Sequence, residues 1–467
     1  MQPNTISRDQ HIVSRKDISK NALKVLYRLN EAGYASYLVG GGVRDLLLQK
    51  NPKDFDIATD ASPEDIKNLF KNCRLIGRRF RLAHVVFGRD IIEVATFRAA
   101  HSEGEGGATG DSGRITRDNV YGGTLADDAV RRDFTVNALY YNIDDFSVVD
   151  FFDGVQDLEE GSLTFIGNAF DRVVEDPVRA LRAVRFAAKL GLSMDADCVA
   201  AIKKHHHLLA EIPPARLFEE VLKLVQSGHG VASFNLLREH DLLQYLFPLA
   251  DTRLKEGDEY ALDMIHRGLT NTDSRIAEEL PVTPAFIYAV FLWPDVAARA
   301  KDYEADGSDP VPALHMAADD IVPMQLAATS LPKRFSIPMR EIWVMQPRLK
   351  NTKGARGKRL LSNPRFRAAY DFLCLRKDTG EDLQKLCSTW ESIQQTPEAQ
   401  AMLEEARSRA AARRRPRNAG NRNTGNRNAG NRNGNRSGGG SRAGGNRSSG
   451  GEARTTTRRR NSGKSAD

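Results

Sequence analysis

The sequence predicts an α+β fold: a mixed head over residues 1–150, an all-helical region over 151–405, and a basic tail that builds no core. Three observations predict it. Helical and strand-like stretches alternate up to about residue 150, and only helical periodicity follows. After Ala411 the chain contains no Val, Ile, Leu, Met, Phe, Tyr, Trp or Cys. Such a segment cannot bury enough apolar surface to offset chain entropy, so disorder is expected over 406–467.

Taken in order, Ile18, Ala22, Val25, Leu26 and Leu29 recur at helical spacing over 18–32, and Gly33 stops the helix. Tyr34 to Val39 reads as a strand that runs into Gly40-Gly41-Gly42, with a helix from Val43 to Gln49. Phe55 to Ala58 is a second strand. Ser62-Pro63-Glu64-Asp65 opens a helix, with Ser62 as N-cap and Asp65 as its capping-box partner. Val85–Phe87 and Ile91–Phe97, joined across Gly88, form a hairpin, and the Gly-rich stretch from His101 to Asp118 is a mobile loop. Beyond the head, Pro177 starts a helix that Gly191 closes, and Pro213-Pro214 starts another. A polar linker near Asp302–Asp309 interrupts the later helices. The helical part divides into a neck over 151–250 and a body over 251–405.

The net charge of +7 is unevenly distributed. From Ala411 onward there are 15 Lys/Arg against 2 Asp/Glu, so the chain before it is mildly acidic. Attraction to a polyanion should therefore reside in the tail and weaken with salt. Gly-Asn-Arg-Asn recurs there at 420, 425 and 430. The N-terminus opens no apolar stretch, and nowhere do 18 apolar residues follow one another, so neither a signal peptide nor a membrane span is expected. Four cysteines without C-x-x-C pairing suit a reducing cytoplasm.

Two motifs bear on chemistry. In Lys53-Asp54-Phe55-Asp56-Ile57-Ala58, alternation along a strand sets Asp54 and Asp56 on one face, about 7 Å apart at Cα. Two such carboxylates suit hard cations, and a pair of ions about 3.5–4 Å apart can serve phosphoryl transfer. A bare Asp-x-Asp is more often two solvated acids at a strand end. Fourteen residues earlier, Gly40-Gly41-Gly42 is either a tight turn or a phosphate cradle, since glycines admit close backbone approach to phosphate oxygens. It matches neither a P-loop nor a dinucleotide fingerprint.

Leu38-Val39-Gly40-Gly41-Gly42-Val43-Arg44-Asp45, followed by Lys53-Asp54-Phe55-Asp56, resembles the head of the class II nucleotidyltransferases. That class holds the CCA-adding tRNA enzymes and the bacterial poly(A) polymerases, and its fold is polymerase-β-like. Arg131-Arg132-Asp133-Phe134-Thr135-Val136-Asn137-Ala138-Leu139, the run from Glu175 to Phe186, and Arg216–Val221 match later motifs in the family's order. The resemblance implies Asp54 and Asp56 as catalytic metal ligands for Mg²⁺. It implies a nucleotide cradle at Gly41, Gly42 and Arg44, a triphosphate contact at Arg132, a nucleotide contact at Asn137 and a catalytic part for Asp133. Glu93 rivals Asp133 as third carboxylate, because its strand neighbours that of Asp56. Arg179, Arg182, Arg185 and Lys189 line one helix face, where mutual repulsion makes an anionic ligand a reason to keep them. By resemblance, Asp176 and Arg179 read the base edge, while Arg182 and Arg185 face phosphates.

The implied activity is that of a polynucleotide adenylyltransferase adding AMP from ATP to RNA 3′ ends without a template. Leu75 to Val85, the long helical C-terminal region and the Arg-rich tail resemble the poly(A) polymerase subgroup. A CCA-adding tRNA nucleotidyltransferase, or a non-catalytic RNA-binding adaptor working through the tail, are the alternatives. The expected partners are RNA and ATP, with tail contacts to RNA and a link to the RNA-decay machinery; no membrane partner is expected, and the chain is expected to be a monomer. His205-His206-His207 point in different directions on a helix and do not read as a metal site.

Overall fold

A computed structural model describes residues 2–77, 81–99, 107–109, 115–118 and 120–414. The tail from 415 and most of the predicted 101–118 loop lie outside these residues, as do positions 78–80 of the Leu75–Val85 stretch. Eight strands form one sheet in the order β1-β10-β9-β2-β3-β6-β5-β4. They are β1 (Asn4–Ile6), β2 (Ser36–Val39), β3 (Asp56–Thr59), β4 (Cys73–Ile76), β5 (Leu82–Phe87), β6 (Asp90–Thr96), β9 (Leu139–Asn142) and β10 (Val148–Asp150). Every neighbouring pair is antiparallel except β3 with β6. A hairpin of β7 (Gly107–Thr109) and β8 (Ile115–Asp118) lies within the stretch predicted as a loop. Two further strands, β11 (Ser162–Leu163) and β12 (Ser193–Met194), pair in parallel inside the region predicted to be wholly helical.

The first helices are α1 (Lys20–Glu31), α2 (Gly41–Leu47), α3 (Pro63–Leu69), α4 (Leu125–Val130), α5 (Gly154–Glu160) and α6 (Ala169–Glu175). Val25, Leu26 and Leu29 of α1 are fully buried against the sheet, as their spacing requires. Ser62 caps α3 by accepting from the Asp65 amide at 3.1 Å, and the Asp65 carboxylate accepts from the Ser62 amide at 3.3 Å. Two local predictions shift. The α2 helix starts at Gly41, because Gly40 takes a φ of +67° and turns the chain directly into it. The β3 strand starts at Asp56, so Asp54 stands just before the strand instead of on its face.

The helical part continues as α7 (Val178–Leu190), α8 (Ala196–His205), α9 (Pro214–Val225), α10 (Gly230–Glu239), α11 (Leu243–Leu246), α12 (Pro248–Lys255), α13 (Glu259–Ala277), α14 (Pro284–Ala305), α15 (Pro310–Ala328), α16 (Lys333–Arg348), α17 (Gly354–Leu361), α18 (Phe366–Asp378), α19 (Gln384–Gln394) and α20 (Pro397–Arg414). Gly191 ends α7 with a φ of +75°. The predicted linker near 302–309 is a break between two helices, shorter than expected at its start: α14 runs to Ala305, and α15 begins at Pro310 after a turn at Gly307 (φ +96°). One apolar core runs from the sheet through α7 and α9 into α14–α16, with Trp293 and Trp343 buried inside it. Trp390 belongs to a separate cluster around α18 and α19. No helix among the described residues is long and apolar enough to cross a membrane.

Candidate active site

The reactive edge is built by strand register. In the parallel pair β3/β6, Asp56 stands opposite Glu93, and Val39 of β2 flanks Asp56 on the other side. Asp54 precedes β3 and is exposed. The Asp56 side chain reaches solvent, yet neighbouring protein desolvates its carboxylate, and Glu93 and Asp54 add like charge. Against the pull of Arg132, its pKa is pushed up to about 6. His84, opposite Glu93 on β5, places Nε2 3.1 Å from a Glu93 oxygen. Among the described residues, neither Asp54 nor Asp56 has an ion-pair partner.

The glycine turn leads into a buried guanidinium. Arg44 is only 2% exposed; its Nη1 donates to Asn137 Oδ1 at 2.5 Å and its Nε to Asp45 Oδ1 at 2.9 Å. A Cβ added at Gly40 would stand 3.2 Å from Arg132 Nη1, so the turn and this arginine pack at close quarters. Arg132 Nη2 donates to Asp128 at 3.0 Å and its Nε to the Tyr140 hydroxyl at 2.8 Å. Tyr140 in turn donates to Asp128 at 2.9 Å. A quarter of the Arg132 side chain still faces solvent. Asp128 and Tyr140 carry no sequence signal of their own; nothing local to either marks it as the anchor of Arg132.

Asp133 is buried and surrounded by donors. Arg182 pairs with it, Nε lying 2.7 Å from Oδ2, while Asn137 Nδ2 (3.1 Å) and the Phe134 amide (2.9 Å) donate to Oδ1. Burial alone would raise this carboxyl's pKa, but Arg182 and these hydrogen bonds hold it below the usual carboxylate range. Phe134, fully buried, stacks on Phe165 at 4.8 Å and meets Phe186 of α7 edge-on at 5.6 Å. The motif and α7 are thereby fixed to each other.

The cation face of α7 is not short of acids. Arg179 pairs with Glu175 (2.6 Å) one turn earlier, Arg182 with Asp133, and Lys189 approaches Asp45 to 4.0 Å. The expectation that repulsion along this face calls for an anion is corrected for these three, because most of the counter-charge comes from other elements. Arg185 differs. Its Nε is buried without a hydrogen-bond partner among the described residues, and its guanidinium lies 4.4 Å over Phe186. Asp176 pairs with Arg216 of α9 at 2.6 Å and not with Arg179. His206 bonds the Tyr245 hydroxyl at 2.8 Å.

Known proteins match most of this chain. The Poly A polymerase head domain matches residues 36–164, and the Polymerase A arginine-rich C-terminus matches 306–422. Between them, 191–254 match a region described as "Probable RNA and SrmB- binding site of polymerase A". Poly(A) polymerase I of Salmonella typhimurium is 48% identical over 88% of this chain and 90% of its own. That of Haemophilus influenzae is 44% identical over 84% and 88%. The chain belongs to the poly(A) polymerase I family. With membership goes its activity, template-independent poly(A) addition by a polynucleotide adenylyltransferase. The CCA-adding enzyme of Lactobacillus gasseri is 37% identical, but over only 46% of this chain and 52% of its own. Among solved structures, the Bacillus stearothermophilus CCA-adding enzyme in complex with CTP superposes with a TM-score of 0.51 at 26% identity, covering 84% of this chain and 82% of that one. A tRNA-processing enzyme in an apo form reaches 0.58 at 21%, covering 85% and 99%, which speaks for the fold.

Proposed function

We propose that AMP transfer from ATP to RNA 3′ ends takes place at the β3/β6 edge, with Asp54, Asp56 and Glu93 facing the reacting phosphate. The observation that carries this reading is Asp56 set opposite Glu93, its pKa pushed up to about 6 by desolvation and by the like charges of Glu93 and Asp54, against the pull of Arg132. An all-oxygen donor set of this kind fits a hard divalent cation such as Mg²⁺, held by Asp54 and Asp56. Bound there, the metal would stabilise charge on the attacking and leaving oxygens. In the transfer, the RNA 3′-oxygen bonds to the α-phosphorus of ATP and the bond to the bridging oxygen breaks. Pyrophosphate leaves, and the hydroxyl proton passes to a carboxylate or to solvent.

The protein's own groups hold the nucleotide. Arg132, fixed by Asp128 and Tyr140 yet still partly exposed, is the triphosphate contact beside the Gly40–Gly42 turn. Arg44 acts through Asn137 and shapes the wall of the cradle. Asp133 is a positioning residue that fixes Arg182 and Asn137, and Glu93 takes the place of third carboxylate. Arg185, with an unsatisfied buried donor, meets phosphate. Asp176 and Arg179 read the adenine edge, oriented by Arg216 and Glu175. The Arg-rich tail adds non-specific RNA contacts in a role in RNA turnover, and the free cysteines suit a reducing cytoplasm.

The test is incorporation by the purified protein on an unstructured RNA with Mg²⁺, given ATP or CTP separately. Long products from ATP with little from CTP are expected. Short additions of both, confined to tRNA, would move the substrate to the CCA-adding group while leaving the carboxylate assignment standing.

A further inference from the structure

The helical body contains a cavity that the proposed chemistry does not use. Pro294 lies inside α14 and Pro347 inside α16, and both line it. Each proline lacks the N–H that would bond the carbonyl four residues earlier, so both helices lose a rung here. Beside Pro294, α14 contributes the small side chains of Ala297, Ala298 and Ala300, with Trp293 at one end and Lys301 and Glu304 at the other. A space of about 650 Å³ remains between α14, α16 and α18. It opens to solvent on one side and has the size of small-ligand sites, roughly 300–1,000 Å³.

Its floor is already satisfied. Arg376 lies 4.6 Å over the Trp293 ring, donates to Glu381 at 2.8 Å and to Gln346 Oε1 at 3.1 Å. Tyr260 donates to Glu381 at 2.8 Å and accepts from Trp293 Nε1 at 3.0 Å. The Gln346 amide nitrogen donates to the Ile342 and Ala369 carbonyls at 2.9 and 3.1 Å. Little hydrogen-bonding capacity is left for reading a ligand's edge. The mouth is different. Lys301 and Lys350 line it, both are exposed, and neither has an acid within 4.0 Å among the described residues. Glu304, also on the rim, pairs with neither. Two lysines without an ion pair among the described residues, above a hollow whose apolar walls are Pro294, Pro347, the alanines of α14 and Leu314, suit a flat apolar body that carries an anion.

The geometry points to a subsite for one nucleotide of single-stranded RNA. Its base lies between the apolar walls and its phosphate on Lys301 and Lys350, without selection of the base. The assignment rests on RNA being the substrate, as proposed above; a free mononucleotide offers the same chemistry. Two full-length variants test it. Lys301→Ala/Lys350→Ala removes the charge, and Ala298→Trp, at an exposed position, plugs the hollow with the charge kept. Binding of a labelled unstructured RNA is followed by anisotropy over a salt series, binding of AMP by equilibrium dialysis, and AMP incorporation by the parent protein on a primer.

The lysine variant should bind RNA about three- to tenfold more weakly, the scale of two exposed ionic interactions. Its log–log salt slope should fall by about 0.7 for each phosphate that is no longer neutralised. The tryptophan variant should lose affinity at an unchanged slope. If AMP binding drops in both variants as well, free nucleotide uses the same subsite, and the assignment stands. RNA and AMP binding equal to the parent's in both variants overturns it. Should the parent add AMP normally while the variants bind normally, only the subsite falls; a parent that adds no AMP overturns the proposed function instead.

Discussion

The β3/β6 edge and the face of α7 treat charge in opposite ways. At the edge, Asp54, Asp56 and Glu93 crowd together and no arginine or lysine pairs with any of them among the described residues. On α7, Arg179, Arg182 and Lys189 each meet an acid, and Asp133 has three donors. Like charges crowded at the edge, opposed only by the more distant Arg132 and by His84 beside Glu93, fit the proposal that a cation arrives there later. Under the proposed assignment, charge left open belongs to the reacting centre, and charge already closed belongs to the frame that would aim nucleotide contacts at it. Arg185 is the exception on α7, with a buried Nε that has no hydrogen-bond partner among the described residues, as the proposed phosphate contact requires.

The largest expected effect separates the two regions directly. Asp56→Ala should lower AMP incorporation by about a thousandfold, the scale of losing a key electrostatic stabiliser. Stability should hold or rise slightly, because like-charge repulsion with Glu93 and Asp54 is relieved. Single-turnover incorporation and denaturant unfolding on the same preparation check both. A loss of stability with little loss of rate would break the comparison.

Asp133→Asn should do the reverse in stability. Breaking its pair with Arg182 should cost about 3 kcal/mol, the low end for a buried pair, since Arg182 is a third exposed and partly screened. Adding Arg182→Met should recover part of that loss. The pH dependence follows from the depressed pKa of Asp133. Its contribution is fully present above the unfolded-state value of about 3.9 and is lost as pH falls from there towards the folded-state value. Acid unfolding of Asp133→Asn should therefore have a shallower limb below about pH 4. An acid limb identical to the parent's would show that the pair contributes nothing to the frame.

Local features were legible in the sequence, and long-range pairings were not. The Gly40 turn, the Ser62–Asp65 capping box, the β5/β6 hairpin and the Gly191 stop are each written in a few adjacent residues, because the physics that makes them acts over one turn of chain. The start of β3 differs from its expected place by a single residue, since a strand's first hydrogen bond depends on its partner strand. Counter-charges for α7 are hidden in the sequence because Asp133 and Asp45 lie far away along the chain. Glu175, one turn before Arg179, is the local partner that spacing alone could have supplied. Glu93 could be named as a rival to Asp133 from an expected strand neighbour; the parallel register and the burial of Asp133 are what separate their roles. The cavity between α14 and α16 had no sequence signal beyond two prolines and three alanines.

The smallest effect tests whether orientation alone matters on the closed side. Glu175 is 41% exposed, and its pair with Arg179 is worth only about 0.2–1 kcal/mol. Glu175→Gln should therefore leave stability nearly unchanged and rate on ATP only slightly reduced. If Arg179 reads the adenine edge and Glu175 aims it, the preference for ATP over CTP should relax by about two- to fivefold, the same energy expressed as discrimination. The ratio of kcat/KM values for the two nucleotides measures it. A uniform fall for both nucleotides would mean that Glu175 supports the helix and that Arg179 does not select the base.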